Sequence, residues 1–366
     1  MQRRWTLLAC ALVLLTAAAC GGADDTDTAG GLPASAGGSQ VCVPSAVAPP
    51  AAPSATQSGA ADTPATPATP AEVQAFLGTL TESQRTQALH DDVLDAKRCS
   101  WSSRPDGEFT GRTGLRLGDL GDAQRAAALA ALRGVLSAGG YAKVLRLMDA
   151  EEGGRDGFHI ALFGQPSGTQ RWTLQFGGPH LAVHVTTGGG TVSVSPYFSS
   201  APPAATTASG RADKPSARRS PSREPSPDVF ALFKSLTIEQ QAGARLPGTY
   251  DDVVMGPGAD TGYPVRAGLP FPRLDAGQQA MVRAVIKGLV GDAAAELAQP
   301  LLDLYATQLD QTTIGYAGTA DPRSENAYFR IDGPRLWLEW ASTPAGGLHQ
   351  HALYRDKGLD YGTGAG

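Results

Sequence analysis

The chain has 366 residues, 42% hydrophobic and 18% charged, which is enough apolar material for one or two globular units and too much for a disordered protein. A net charge of −5 is small for this length, so the composition gives no reason to expect a nucleic-acid partner. Glycine (45) and proline (27) are frequent, and much of the proline falls in two low-complexity blocks that read as linkers.

The first twenty residues read as a secretory signal: Arg3 and Arg4, an apolar run from Trp5 to Leu15, then Ala17, Ala18 and Ala19 before Cys20. The run is about half of the roughly twenty residues needed to cross a bilayer, so a membrane span is not expected there. A-A-A-C resembles a lipobox, and the expectation is cleavage before Cys20 and diacylglycerol on its thiol. The rest of the chain would then be exported and tethered to the outer face of a bacterial membrane, on the cell surface or the periplasmic side. Two acyl chains suffice for stable anchoring, at about 0.8 kcal/mol per buried methylene. Cys10 leaves with the signal and Cys20 is consumed by lipid, which leaves Cys42 and Cys99. In an oxidising compartment these are expected to form a disulfide, two free thiols being the alternative.

Residues 21–71 are rich in Ala, Gly, Pro, Ser and Thr and read as an extended tether. A first folded segment is expected over 72–200 and a second over 228–366. Between them, residues 201–227 form a Pro/Ser linker carrying Arg211, Lys214, Arg218, Arg219 and Arg223, which reads as a solvated charge run. The two folded segments look like copies. F-L-G-T-L-T-E-S-Q-R from Phe76 is matched 156 positions later by L-F-K-S-L-T-I-E-Q-Q from Leu232. G-L-R-L-G-D-L from Gly114 is matched 154 positions later from Gly268, and Q-F-G-G-P-H-L from Gln175 is matched 155 positions later from Arg330. Three blocks in one order at a near-constant offset predict a duplicated unit.

Each copy opens on a helix start, Thr79 or Ser235, and continues to a longer helix. Leu129, Leu132, Val135 and Leu136 mark that helix in the first copy, with Gly139 and Gly140 breaking it before a shorter helix over Tyr141–Met148. Met281, Val282, Val285, Ile286 and Leu289, then Leu297, Leu301, Leu302 and Tyr305, repeat the pattern. Both copies then alternate with period two: H-I-A-L-F-G, R-W-T-L-Q-F, H-L-A-V-H-V and T-V-S-V-S in the first, Y-F-R-I and R-L-W-L-E-W in the second. The predicted fold is α+β, two tandem pseudo-repeats of helices followed by an antiparallel β-meander, which pair their sheets or pack with pseudo-twofold symmetry.

G-L-R-L-G-D-L, Q-F-G-G-P-H-L, F-R-I-D-G-P-R-L-W-L-E and the ending H-Q-H-A-L-Y-R-D-K-G-L-D-Y-G resemble the bacterial domain-of-unknown-function family 3500, from about Glu72 to Gly362. The resemblance implies export and an activity not yet characterised, and it supplies no reaction. Two departures stand out: members commonly have a His-His pair where this chain has Pro179 and His180, and Asn where it has His184.

Four of the six histidines carry the candidate chemistry. His180 with His184, and His349 with His351, have the spacing of residues on one face of a strand, so His180, His349 and His351 are candidate ligands for zinc or copper. A further ligand is expected from among Asp356, Asp360 and Glu339. The same alternation is produced by a polar, solvated sheet face, and the repeat maps His180 onto Arg335 and His184 onto Glu339. His351, Arg355 and Asp356 are candidate catalytic residues, the guanidinium suiting an anion and the carboxylate orienting an imidazole. The acidic loop with Asp251, Asp252 and Asp260 reads as a surface turn, calcium binding being the alternative without known ligand spacing. Trp101, Trp337 and Trp340 are candidates for an aromatic platform, but the opposite strand parity of Trp337 and Trp340 puts at least one of them in the core. H-E-x-x-H, G-x-S-x-G, phosphate-loop and dinucleotide motifs are absent from the sequence. Two functions follow as expectations: a surface module binding an extracellular ligand or protein, or a metal-dependent, hydrolase-like enzyme built on the C-terminal His/Arg/Asp residues.

Overall fold

A computed structural model describes residues 71–200, 229–260, 262–321, 324–344 and 348–362. The signal, Cys20, Cys42, the tether and the Pro/Ser linker lie outside the described residues. Among those described, no helix is long and apolar enough to cross a membrane.

The first segment begins with α1 (Ala71–Thr79) and α2 (Glu82–Ala88). Thr81 caps α2 through a box with Gln84, which satisfies amide groups the helix itself leaves open. Two short strands follow, β1 (Leu89–His90) and β2 (Leu115–Arg116), then α3 (Asp122–Val135) and α4 (Ala138–Ala150). The meander is β3 (His159–Phe163), β4 (Trp172–Gly178), β5 (Leu181–Gly188), β6 (Thr191–Ser193) and β7 (Tyr197–Ser200). The second segment holds α5 (Val229–Ser235), α6 (Ile238–Ala244), β8 (Leu269–Pro270), α7 (Ala276–Val290) and α8 (Ala295–Thr307). It ends with β9 (Thr313–Ala317), β10 (Tyr328–Asp332), β11 (Leu336–Thr343) and β12 (His349–Asp356).

The fold is α+β, and the sheet is mixed where a pure antiparallel meander was expected. β1 lies parallel to β3, and β1, β2 and β8 precede the longer helices instead of following them. The break predicted at Gly139 and Gly140 falls earlier, at Leu136, because Ser137 caps α4 by accepting the Gly140 amide. Gly140 is instead a close-approach residue: a Cβ there would lie 2.1 Å from the Asp292 carbonyl oxygen.

All twelve strands form one sheet, in the order β1-β3-β4-β5-β7-β12-β11-β10-β9-β8, with β2 beside β3 and β6 beside β5. The two segments meet at β7 and β12, which pair antiparallel with Phe198 opposite Leu353 and Ser200 opposite His351. One face carries Leu174, Phe176, Val183, Tyr197, Ile331, Leu338 and Tyr354 and packs on helices of both segments in one continuous core. The opposite face carries polar residues, as the alternation requires, yet water does not cover it. Residues 91–113 and the described part of 246–267 lie across it, and Thr173, His184, Arg330, Asp332, Glu339 and Arg355 are each at most 2% exposed. Trp101, Met255, Phe198, Trp337 and Tyr361 form the apolar part of this second layer. Trp101, Trp337 and Trp340 are therefore buried and offer no platform.

Candidate metal centre

His180 occupies the tight turn between β4 and β5, not a strand as its spacing suggested. Pro179 fixes its own φ, and His180 takes a left-handed conformation at φ 55°. Such a conformation is uncommon outside glycine, with histidine among the residues that tolerate it best. Two backbone bonds hold it: the His180 amide donates to the Ser103 carbonyl (2.9 Å), and its carbonyl accepts from the Ser200 amide (2.8 Å). His349 and His351 share the loop-covered face of β12, and His351 sits opposite Ser200. The turn and the strand thereby bring three imidazoles together. Ring centroids are 5.1 Å apart for His180 and His349, 6.3 Å for His180 and His351, and 4.8 Å for His349 and His351. One ring nitrogen of each lies within 4.8 Å of the other two.

Two carboxylates set the orientation. Glu151, just past α4, meets His180 Nδ1 at 2.9 Å, and Asp252 in the loop before β8 meets His351 Nδ1 at 2.6 Å. An ionised carboxylate only accepts, so each Nδ1 carries the proton of that bond, and Nε2 is the ring nitrogen left to meet a cation through its lone pair. His351 Nε2 faces His349 Nε2 at 3.0 Å. Two such atoms at this distance share one proton or converge on a cation. Imidazoles that ligate metals through one nitrogen almost always donate the other N–H to a carboxylate, carbonyl or water, which is the arrangement at His180 and His351.

The remaining candidates are committed elsewhere. Arg355 is on the same face as His351 but two positions beyond Leu353, fully buried, bonded to Asp260 (3.0 Å), Asp360 (2.6 Å) and the Gly256 carbonyl (3.1 Å). Asp356 lies on the opposite, helix-facing side, held by Arg335 (2.7 Å) and Tyr305 (2.7 Å). The structure does not bring it to the histidines. Glu339 accepts the Val254 and Met255 amides at 2.7 and 2.9 Å and so pins the second covering loop, while burial pushes its carboxyl above the usual range. His184 is fully buried under Trp101 and Tyr361, away from the other three; its Nδ1 bonds the Pro196 carbonyl (2.9 Å), and burial lowers its pKa to about 4, so it is neutral. Asp252 and Asp260, in the acidic turn, serve a histidine and an arginine. Cys99 is disulfide-bonded and its expected partner, Cys42, lies outside the described residues.

Residues 63–363 match the family described as "Protein of unknown function (DUF3500)". The chain belongs to the DUF3500 family. The match takes in both described segments, so the three-histidine cluster, Glu151 and Asp252 all lie within the DUF3500 region. Neither the curated proteins nor the solved structures gave a match to the chain.

Proposed function

We propose that this DUF3500 protein is an exported, lipid-anchored module whose ligand is a divalent transition-metal ion, zinc or copper, bound by His180, His349 and His351. The observation that carries the reading is the pair of carboxylate–histidine contacts, Glu151 to His180 and Asp252 to His351, which aim two Nε2 lone pairs into one cluster with His349. An all-nitrogen donor set of this kind suits zinc and copper better than calcium or magnesium, which take oxygen. Export and anchoring at Cys20 are supported by the signal sequence and by the disulfide at Cys99, which belongs in an oxidising compartment.

We also infer that the fold arose by duplication. Gly114 and Gly268 both adopt positive φ (99° and 113°), and a Cβ at either would lie 2.2 or 2.3 Å from a carbonyl oxygen, of Ile160 or Ile314. Thr81 with Gln84 and Thr237 with Gln240 make the same capping box, and each Gln reaches on to Gln124 or Gln278. These matched devices support a common ancestor for the two halves; the ion would then be a feature of one half's turn joined to the other half's last strand.

The test is elemental analysis of the mature protein purified without chelator, beside a His349→Ala/His351→Ala variant. Stoichiometric zinc or copper, lost in a variant that keeps its circular dichroism, is the expected result. A folded wild type with no metal and no zinc or copper affinity would leave the cluster as a hydrogen-bonded trio and end the reading.

A further inference from the structure

Resting on that metal reading, we infer that the ion keeps an exchangeable coordination position, which takes water or a small anionic oxygen or nitrogen donor. Zinc and copper(II) complete at least four positions, and the described residues supply three. Glu151 and Asp252 each give an oxygen to an Nδ1–H, and neither is among the residues whose donor atoms converge. Three other acids are engaged elsewhere and do not converge with the histidines: Glu339 on backbone amides, Asp356 on Arg335, Asp360 on Arg355. The cluster is also not sealed. The His180 side chain is 16% exposed and that of Asp252 47%, whereas Arg355, further along β12, is 0% exposed. Solvent therefore reaches this end of the strand.

Charge gives the position its character. Three neutral imidazoles leave the full 2+ on the ion, and Glu151 and Asp252 balance it from one bond further out. A three-nitrogen, one-water set of this kind draws the pKa of zinc-bound water down to about 7. The water O–H bond breaks, its proton passes to solvent, and the hydroxide stays on the metal. That is the starting point for Lewis-acid and hydrolytic chemistry, and it sets this site apart from a closed structural one.

The experiment loads the apoprotein with one equivalent of copper(II) and titrates it with sodium azide, read by visible absorption and electron paramagnetic resonance. The expected result is a saturable azide-to-copper charge-transfer band with a matching change in the resonance, absent from the His349→Ala/His351→Ala variant. Copper bound stoichiometrically with a spectrum unmoved by a large excess of azide overturns the open position while leaving the metal reading intact. A band that persists in the double variant also overturns it, since the azide would then report copper held elsewhere. Failure to bind copper or zinc at all is the separate failure of the metal reading itself.

Discussion

Asp252 and Glu151 govern which nitrogen their histidines present, so removing their charge without their shape tests their role. Asp252→Asn and Glu151→Gln are each expected to weaken zinc affinity 10- to 100-fold, roughly the cost of losing such an outer partner, with the fold intact; competition against a chromogenic chelator checks this. His184 makes a different prediction. Its folded pKa is about 4 against 6.5 when exposed, so between those values the unfolded chain takes up a proton that the fold refuses. Its contribution is fully present above about pH 6.5 and is lost as pH falls towards 4. Urea unfolding should show a loss of about 2 kcal/mol between about pH 7 and pH 5 that shrinks in His184→Asn. Arg355→Ala takes the guanidinium away from Asp260 and Asp360, leaving them the hydroxyls of Tyr361 and Ser195, and should cost about 3–5 kcal/mol in the same assay. Spacing marked His349 and His351 as sharing one strand face, but it set His180 on a strand beside His184, whereas His180 is in a turn; it also grouped Arg355 with Asp356, although adjacent strand residues face opposite ways. Glu151 and Asp252 were not: they lie 29 and 99 positions from their partners, and no local pattern marks a contact made by folding.

Strands and helices were easier to read than their surroundings. The long helices and the hydrophobic face of the sheet follow from periodicity, since each stripe must be buried against another. The polar face misled because alternation looks the same whether water or protein covers it. Residues 91–113 and 246–267 have no periodicity, so the place of their described parts over His184, Glu339 and Arg355 is set by tertiary bonds such as Glu339 to the Val254 and Met255 amides. The short strands β1, β2 and β8 escaped notice for the same reason, two residues being too few to show a period. Gly114 and Gly268 make the element-scale prediction. Alanine at either must clash with the carbonyl beside it and adopt a disfavoured φ, so both substitutions should destabilise by more than about 1 kcal/mol and by similar amounts, measured by thermal melting.

At the scale of the molecule, the cluster draws on Glu151 and His180 from one segment and Asp252, His349 and His351 from the other, so an ion bound there would brace the whole fold. Chelator should lower the melting temperature of the metal-loaded protein and leave that of His349→Ala/His351→Ala unchanged; free metal at a hundred times its Kd would contribute about 2.7 kcal/mol. The sheet itself has a further consequence. The seam between the two segments, β7 with β12, is at its middle, and its two margins are made of two-residue pieces, β1 and β2 at one end and β8 with Pro270 at the other. A margin so short, and at one end lacking an amide hydrogen, gives an approaching strand almost nothing to zip onto. Copies crowded together, as the proposed anchoring would hold them, would slide past one another instead of growing into a fibre.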